Sequence, residues 1–198
     1  MKKRHLLLPC LLIVSALALV ACGGSGSSAE SEIEEAIETS ATSGNPANCT
    51  KLETANFVEQ STSESGKAAI ETCEEEAKKD PESRAESVAV TEVEVDGSKA
   101  TANAAIVGGS FDNQAVSVAL VEEEGTWKLD ELTGFVKFDQ GAIAQVFEAQ
   151  LEKSGELSSE QTSCIVAGIE EAPQAEIEEA VLGGESTSIE ELAEGCAE

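Results

Sequence analysis

The spacing of the apolar residues changes at Ser87, and this change constrains the fold more than any other feature of the chain. Before Ser87 they recur at helical spacing, from Ser87 to Leu132 they alternate, and from Gln140 the helical spacing returns. Within the alternating segment, Asp96-Gly97 is a strong hairpin signal, and a phase slip near Thr91-Glu92 predicts a β-bulge. We therefore predict an α+β chain, with N-terminal helices packed on an antiparallel sheet of about four strands and an all-helical C-terminal extension.

The same spacing predicts the bounds of the individual elements. Three helices and then four strands are expected, over 30–43, 48–60, 65–79, 87–95, 99–107, 114–122 and 126–132. In the C-terminal part, Ser158 and Gln161 fit a capping box, Pro173 can open the next helix, and a last short helix is expected from Ser188. The second strand is rich in alanine on one face, which leaves room above it for a helix or a ligand.

Residues 1–21 have the organisation of a secretory signal peptide. A basic start (Lys2, Lys3, Arg4) precedes an apolar core and a small-residue exit. The core has about 15 residues, fewer than the roughly 20 that a helix needs to span a bilayer. A membrane-spanning anchor is the alternative, and the short core argues against it.

The exit, Leu19-Val20-Ala21-Cys22, resembles a bacterial lipobox. The resemblance implies that a diacylglycerol group is attached to the sulfur of Cys22, that further acylation by palmitate-type chains can follow, and that the chain is cleaved just before Cys22. Residues 22–28 are rich in glycine and serine and predict a flexible tether. We expect a protein of the cell envelope, outside the cytoplasm, anchored to the membrane by lipid on Cys22. The alternative is ordinary cleavage that leaves Cys22 as a free thiol.

Charge and composition exclude several functional classes. The formal net charge is −27, and a surface this acidic repels nucleic acid. The only histidine, His5, lies in the predicted signal peptide, and the chain has no tyrosine. The mature chain can therefore have neither a nucleophile that is activated by histidine nor a metal site that has imidazole ligands. We predict no cofactor and no catalytic residues, and any acid–base chemistry would depend on carboxylates or lysine.

Four cysteines remain once Cys10 and Cys22 are set aside, and four cysteines allow three pairings. Cys49 and Cys73 both fall in the N-terminal helical part, whereas Cys164 and Cys196 both fall in the C-terminal one. This placement favours the disulfides Cys49–Cys73 and Cys164–Cys196. A zinc site is the alternative, and the absence of a C-x-x-C pair and of an available histidine argues against any metal site.

Four segments together resemble the NTF2-like (cystatin-like, cone-shaped) α+β fold, and in particular small exported lipoproteins of actinobacterial type. They are "SGNPANCTKLETANFVEQ" (43–60), "GKAAIETCEE" (66–75), "VTEVEVDGSKATANA" (90–104) and "GTWKLDEL" (125–132). The resemblance covers residues 29–138. Residues 139–198, with their own cysteine pair, are then a helical extension outside the basic fold.

The resemblance implies a curved sheet that encloses a cone-shaped pocket with the helices. Candidate pocket residues are the apolar ones of the third and fourth strands: Val116, Val118, Leu120, Trp127 and Leu129. For Trp127, the favoured interpretation is a core residue that anchors the last strand. Enzymes of this superfamily set an Asp or His base beside Tyr, His or a second acid. The mature chain lacks His and Tyr, so no catalytic residue can be carried over.

Other charged residues support weaker hypotheses. Arg84 could clamp an anion, but a surface pair with Glu82 or Glu86 is the simpler interpretation. Asp130 and Glu131 are adjacent in a predicted strand, so their side chains point to opposite faces and cannot act jointly. Runs of glutamate could bind calcium, yet they lack the mixture of Asp, Asn and Gly typical of calcium loops. They are Glu74-Glu75-Glu76, Glu122-Glu123-Glu124 and Glu178-Glu179.

The sequence thus favours a membrane-tethered, exported, non-catalytic domain that binds a small apolar ligand or a protein partner. The alternative is a carboxylate-dependent isomerase or hydrolase of the same superfamily, which would need an acid with a raised pKa inside the pocket. A third hypothesis is an interaction domain whose cone is filled by side chains.

Overall fold

The computed structural model places a four-stranded antiparallel sheet between helices at both ends of the chain. It describes residues 25–79, 81–155, 157–183 and 192–196. The predicted signal peptide 1–21 and the predicted lipidation site Cys22 lie outside these residues. The elements, in chain order, are α1 (Ser25–Thr42), α2 (Asn48–Lys51), α3 (Ala55–Thr62), α4 (Lys67–Lys79), β1 (Ser87–Asp96), β2 (Lys99–Val107), β3 (Ala115–Glu123), β4 (Thr126–Lys137), α5 (Gln140–Ser154), α6 (Ser159–Glu171) and α7 (Gln174–Val181).

The strands follow one another in the order β1-β2-β3-β4, each antiparallel to its neighbour. This confirms the predicted α+β class and the number of strands. The register shifts between Thr91 and Glu94, where Glu92 has a φ of 53°, so the predicted bulge is present. Strand β4 continues past the predicted end at 132, because pairing with β3 carries it through Gly134, where the apolar alternation stops.

The helix predicted over 48–60 is wrong, because the structure divides it into α2 and α3. Between them the chain is extended and bonds to β4: Leu129 N donates to Leu52 O at 2.8 Å, and Thr54 N donates to Leu129 O at 2.9 Å. The Thr54 side chain then caps α3 by accepting from Phe57 N. Hydrogen bonds to a distant strand therefore override the local helical pattern.

Helix α1 begins at Ser25, so residues 25–28 of the predicted tether 22–28 are helical, and the remainder of that tether lies outside the described residues. Once the buried turn around Ile33 has formed, extending the helix toward its N-terminus costs little free energy per residue. No helix within the described ranges is both long and apolar enough to cross a membrane.

Two separate clusters of buried side chains stabilise the chain. The first lies between α1 and the sheet and contains Ile33, Ile37, Ala100, Ala102, Ala104, Val116, Val118, Leu120, Trp127 and Leu129. The second lies within the C-terminal helices and contains Ile143, Ala144, Ile165, Ile169 and Ile177. The predicted capping box of Ser158 and Gln161 begins α6. The helical extension therefore has a core of its own.

The N-terminal helices and the C-terminal helices each contain one disulfide. Cys49 in α2 is bonded to Cys73 in α4, and Cys164 in α6 is bonded to Cys196, which follows a helical turn at 192–195. These are the two pairs that the placement of the cysteines favours. The expected last helix from Ser188 is described only over that turn.

The buried side-chain amide of Gln114 joins the start of the extension to the sheet. Gln114 is 1% exposed, and its Nε2 donates to Asp112 O and to Asp139 O, both at 3.0 Å. Its Oε1 accepts from Asp139 N at 2.7 Å. Asp139 in turn caps α5 by accepting from Ala142 N. The start of the extension is thus fixed to β3 by one side chain.

We expect Gln114→Leu to lower the free energy of unfolding by about 2 kcal/mol, because leucine leaves the Asp139 N–H and two carbonyls without their partner. Urea unfolding followed by far-ultraviolet circular dichroism measures the loss. Gln150→Leu makes the same chemical change at an exposed position of α5, and we expect a change within about 0.5 kcal/mol. Equal effects of the two variants would contradict the proposed role of Gln114.

Candidate functional site

A cavity of about 360 Å³ lies between α1, α3 and the sheet. This volume falls within the range of roughly 300–1,000 Å³ that is typical of small-molecule sites. Its apolar walls come from the sheet, from α1 and α3, and from the end of α7: Ile37, Ala41, Phe57, Val88, Ala104, Ile106, Val116, Val118, Leu129, Leu132, Val181 and Leu182. The first core cluster therefore leaves an unfilled space at this end of the sheet.

The structure brings three of the five candidate pocket residues together at this cavity and leaves two outside it. Val116, Val118 and Leu129 line the cavity. Leu120 and Trp127 are 1% and 4% exposed and belong to the packed core. Along β3, Leu120 lies closer to the turn between β3 and β4 than Val116 and Val118 do, and along β4, Trp127 lies closer to it than Leu129 does. The interpretation of Trp127 as a core residue therefore matches its place in the structure.

The small alanine side chains on the inner face of β2 contribute to the volume of the cavity. Ala100, Ala102 and Ala104 are all buried, and Ala104 lines the cavity. A methyl group fills much less volume than the side chains at the facing positions of β3, which are Leu120, Val118 and Val116. The sequence predicts space above this strand. In the structure, packed helices fill part of that space and the cavity is the remainder.

Glu53 is the residue of the site that sequence reasoning missed. Its side chain lines the cavity although the residue is only 9% exposed. Ser40 Oγ donates a hydrogen bond to Oε1 at 2.6 Å. Burial raises the pKa of the Glu53 carboxyl above its ordinary value, and the bond from Ser40 opposes that rise only in part. Sequence reasoning missed Glu53 because a single helix over 48–60 gives no reason to distinguish it from the other acidic residues that face solvent.

The surrounding backbone and one disulfide hold Glu53 in place. Glu53 forms an isolated parallel bridge with Leu129 of β4. Cys73 Sγ lies 3.5 Å from Oε2, and the bond from Cys73 to Cys49 fixes α4 beside this segment. A signal in the sequence could have indicated this arrangement, since Thr54 is a good N-cap residue and would place Glu53 just before a helix rather than inside one.

Gln60 and Gly183 bring the end of α7 over the cavity. Gln60 Nε2 donates to Leu132 O at 2.9 Å and to Leu182 O at 3.0 Å, and its Oε1 accepts from Leu132 N at 2.8 Å. Gly183 has a φ of 82°, and a Cβ there would lie 2.5 Å from Gln60 O. Only glycine allows this approach. The C-terminal extension therefore supplies part of the cavity wall.

Arg84 lies outside the cavity and contacts the end of α1. Its guanidinium group packs so closely on Gly44 that a Cβ at that position would meet it at 2.2 Å. Its Nη2 donates to Ala77 O at 2.6 Å. The neighbouring Glu82, expected as a surface partner, forms an ion pair with Lys153 at 2.8 Å. Arg84 thus joins α1 and α4, which is a structural role.

The remaining candidates do not add to the cavity. Asp130 Oδ1 accepts a hydrogen bond from Thr54 Oγ1 at 2.8 Å, and Glu131 is exposed. Neither of these residues lines the cavity. The sulfurs of Cys49 and Cys73 and a carboxylate oxygen of Glu53 lie within 4.8 Å of one another. Because both sulfurs are in the disulfide, they are not thiolate ligands in the oxidised protein.

Chemically, the site combines an apolar cavity with one buried carboxyl group. It can enclose an apolar molecule, accept a hydrogen bond from it or exchange a proton with it. These capacities follow from the geometry of this chain alone. Comparisons with protein-family models, with curated proteins and with solved structures found no significant match to it.

Proposed function

We propose that this chain is an exported, lipid-anchored binding protein that takes a small, mostly apolar molecule into the cavity between α1, α3 and the sheet. The cavity itself is the observation that carries the proposal. Its walls are apolar, and it is large enough for a small organic molecule. The export signal and the lipobox give the proposed location, and the scarcity of catalytic residue types favours binding over catalysis.

We also propose that residues 29–138 form an NTF2-like cone, with residues 139–198 as an added helical extension. Two features support this. The pairing of β3 with β4 has three register shifts, which bend a sheet. In addition, helices preceding the sheet in the chain cover the face that carries the cavity. The end of α7 then closes one side of the cone.

Filling the cavity tests the proposed binding function. Ala104 lines the cavity, whereas Ala105, its neighbour in β2, is exposed on the other face of the sheet. We expect the full chain purified from its own host to carry a small molecule, or to take one up from lipid extract, when examined by native mass spectrometry. Ala104→Phe should abolish this uptake because the ring occupies the space, and Ala105→Phe should retain it.

Either of two results would contradict the binding function. One is a clean mass without added ligand that lipid extract does not change. The other is equal uptake by Ala104→Phe and Ala105→Phe, which would place the ligand elsewhere. Fluorescence of the single tryptophan, Trp127, verifies that each variant keeps the packed first core cluster.

A second candidate function, acid–base catalysis on a bound molecule, is favoured by Glu53. An isomerase or hydrolase of this kind needs an acid with a raised pKa inside an apolar pocket, and Glu53 has both properties. If the bound molecule is turned over and Glu53→Gln stops the turnover, the chain is an enzyme. Recovery of the same molecule unchanged after prolonged incubation supports the binding function.

A further inference from the structure

Among the described residues that line the cavity, Glu53 is the only ionisable one. All lining residues other than Glu53 are apolar or carry neutral polar groups. Glu53 is nine-tenths buried, so water screens its charge only weakly. A molecule that enters the cavity therefore meets one acidic group among neutral walls.

The two carboxylate oxygens of Glu53 have different partners. Oε1 accepts the hydrogen bond from Ser40 Oγ. The nearest polar atom to Oε2 is Cys73 Sγ at 3.5 Å, and this sulfur has no proton to donate because it is in a disulfide. No donor within residues 25–79, 81–155, 157–183 and 192–196 reaches Oε2. The carboxyl group that lines the cavity therefore keeps one oxygen without a hydrogen bond from a described donor.

Three side-chain donors in the cavity wall, those of Gln60, Ser61 and Ser40, are already engaged. Both bonds from Gln60 Nε2 go to backbone carbonyls, those of Leu132 and Leu182. The Ser61 hydroxyl donates to Val58 O, and the Ser40 hydroxyl donates to Glu53. These groups would have to give up their partners to bind an anion. The wall thus offers a free acceptor but no matching set of free donors.

Electrostatic interactions likewise favour a ligand with a positive charge over a ligand with a negative charge. A carboxylate buried without a cation is unfavourable, and a positive group close to it removes that penalty. A hydrogen bond between an ammonium and a carboxylate is about twice as strong as one between neutral groups. A ligand carboxylate would instead place two like charges together in a poorly screened space.

We infer that the cavity selects small apolar molecules that carry an ammonium group, and that the Glu53 carboxylate accepts a charge-assisted hydrogen bond from that group. The inference rests on the proposed binding function and names its ligand class. The apolar walls would enclose the hydrocarbon part, and the Glu53 end of the cavity would hold the amine.

Three probes with the same hydrocarbon chain test this inference: octylamine, octanol and octanoate. We expect isothermal titration calorimetry on the full chain to show that octylamine binds about tenfold or more tightly than octanol, which is the size of effect of one charge-assisted hydrogen bond. Octanoate should bind more weakly than octanol. Glu53→Gln, which keeps the shape and can still accept from Ser40, should bring the octylamine and octanol affinities to within about twofold of each other.

The acidic surface of the protein attracts any cation, so a control must separate that attraction from the effect of the cavity. Glu94→Gln removes one charge from an exposed position of β1 and should keep the preference for octylamine. An equal preference in Glu53→Gln and in the unchanged protein would overturn the inference. Equal binding of all three probes would overturn it while supporting the binding function. Failure of octanol and octylamine alike to bind would overturn the binding function as well.

Discussion

Replacing the proposed lipidated cysteine, Cys22→Ala, should transfer the protein from the membrane fraction to the soluble fraction of cell extracts. The sulfur of Cys22 is the only proposed attachment point for lipid. Two or more acyl chains anchor a protein firmly to a membrane, whereas a single chain gives only marginal binding. The acidic surface adds no attraction to anionic headgroups, because like charges repel. We therefore expect nearly complete loss of membrane association.

Fractionation after ultracentrifugation, together with incorporation of labelled palmitate, measures this effect. Cys10→Ala is the matched control, since Cys10 lies within the predicted signal peptide and would leave with it. That variant should still be labelled and should still pellet with membranes. If processed Cys22→Ala protein remained with the membranes, the proposed anchor would be wrong.

Removing the first disulfide, by Cys49→Ala with Cys73→Ala, should lower the free energy of unfolding by about 3 kcal/mol. In the chain-entropy model, a bond that closes a loop of 24 residues restrains the unfolded chain by about this amount. The bond also connects α2, which has only four residues, to α4 beside Glu53. A loss of this size is a large part of the stability of a domain.

Urea unfolding followed by the fluorescence of Trp127 measures this loss, because Trp127 is buried in the first core cluster. Reductant should destabilise the unchanged protein and should have a smaller effect on the double variant, which keeps only the Cys164–Cys196 bond. Peptide mapping without reductant should find Cys49 joined to Cys73. A peptide that joins Cys73 to Cys164, or coincident unfolding curves of the two proteins, would contradict the prediction.

Sequence reasoning predicted the sheet well because its signals are local. The alternation of apolar residues, the turn at Asp96-Gly97 and the phase slip near Glu92 each act within a few residues. The structure accordingly contains four antiparallel strands with the bulge at that place. Strand β4 is longer than predicted because its last residues are held by pairing with β3, which is a contact between segments.

The candidate site was only partly predictable. Val116, Val118 and Leu129 were identified because strand alternation assigns them to the inner face. The same alternation selected Leu120 and Trp127, yet it cannot tell which part of an inner face is filled by the core and which part remains open. That distinction depends on how far α1 and α3 extend across the sheet.

By itself, the sequence determined the class of the fold, the order of its elements and the small number of catalytic residue types, because composition and apolar spacing are sufficient for these. Only the tertiary structure decided that the chain between α2 and α3 bonds to β4 at Leu129 and so carries Glu53 into the cavity. The local pattern around Glu53 favours a continuous helix with an exposed acid. Hydrogen bonds to a strand more than seventy residues away reverse that preference, and the local sequence indicates the break only through Thr54, a good N-cap residue.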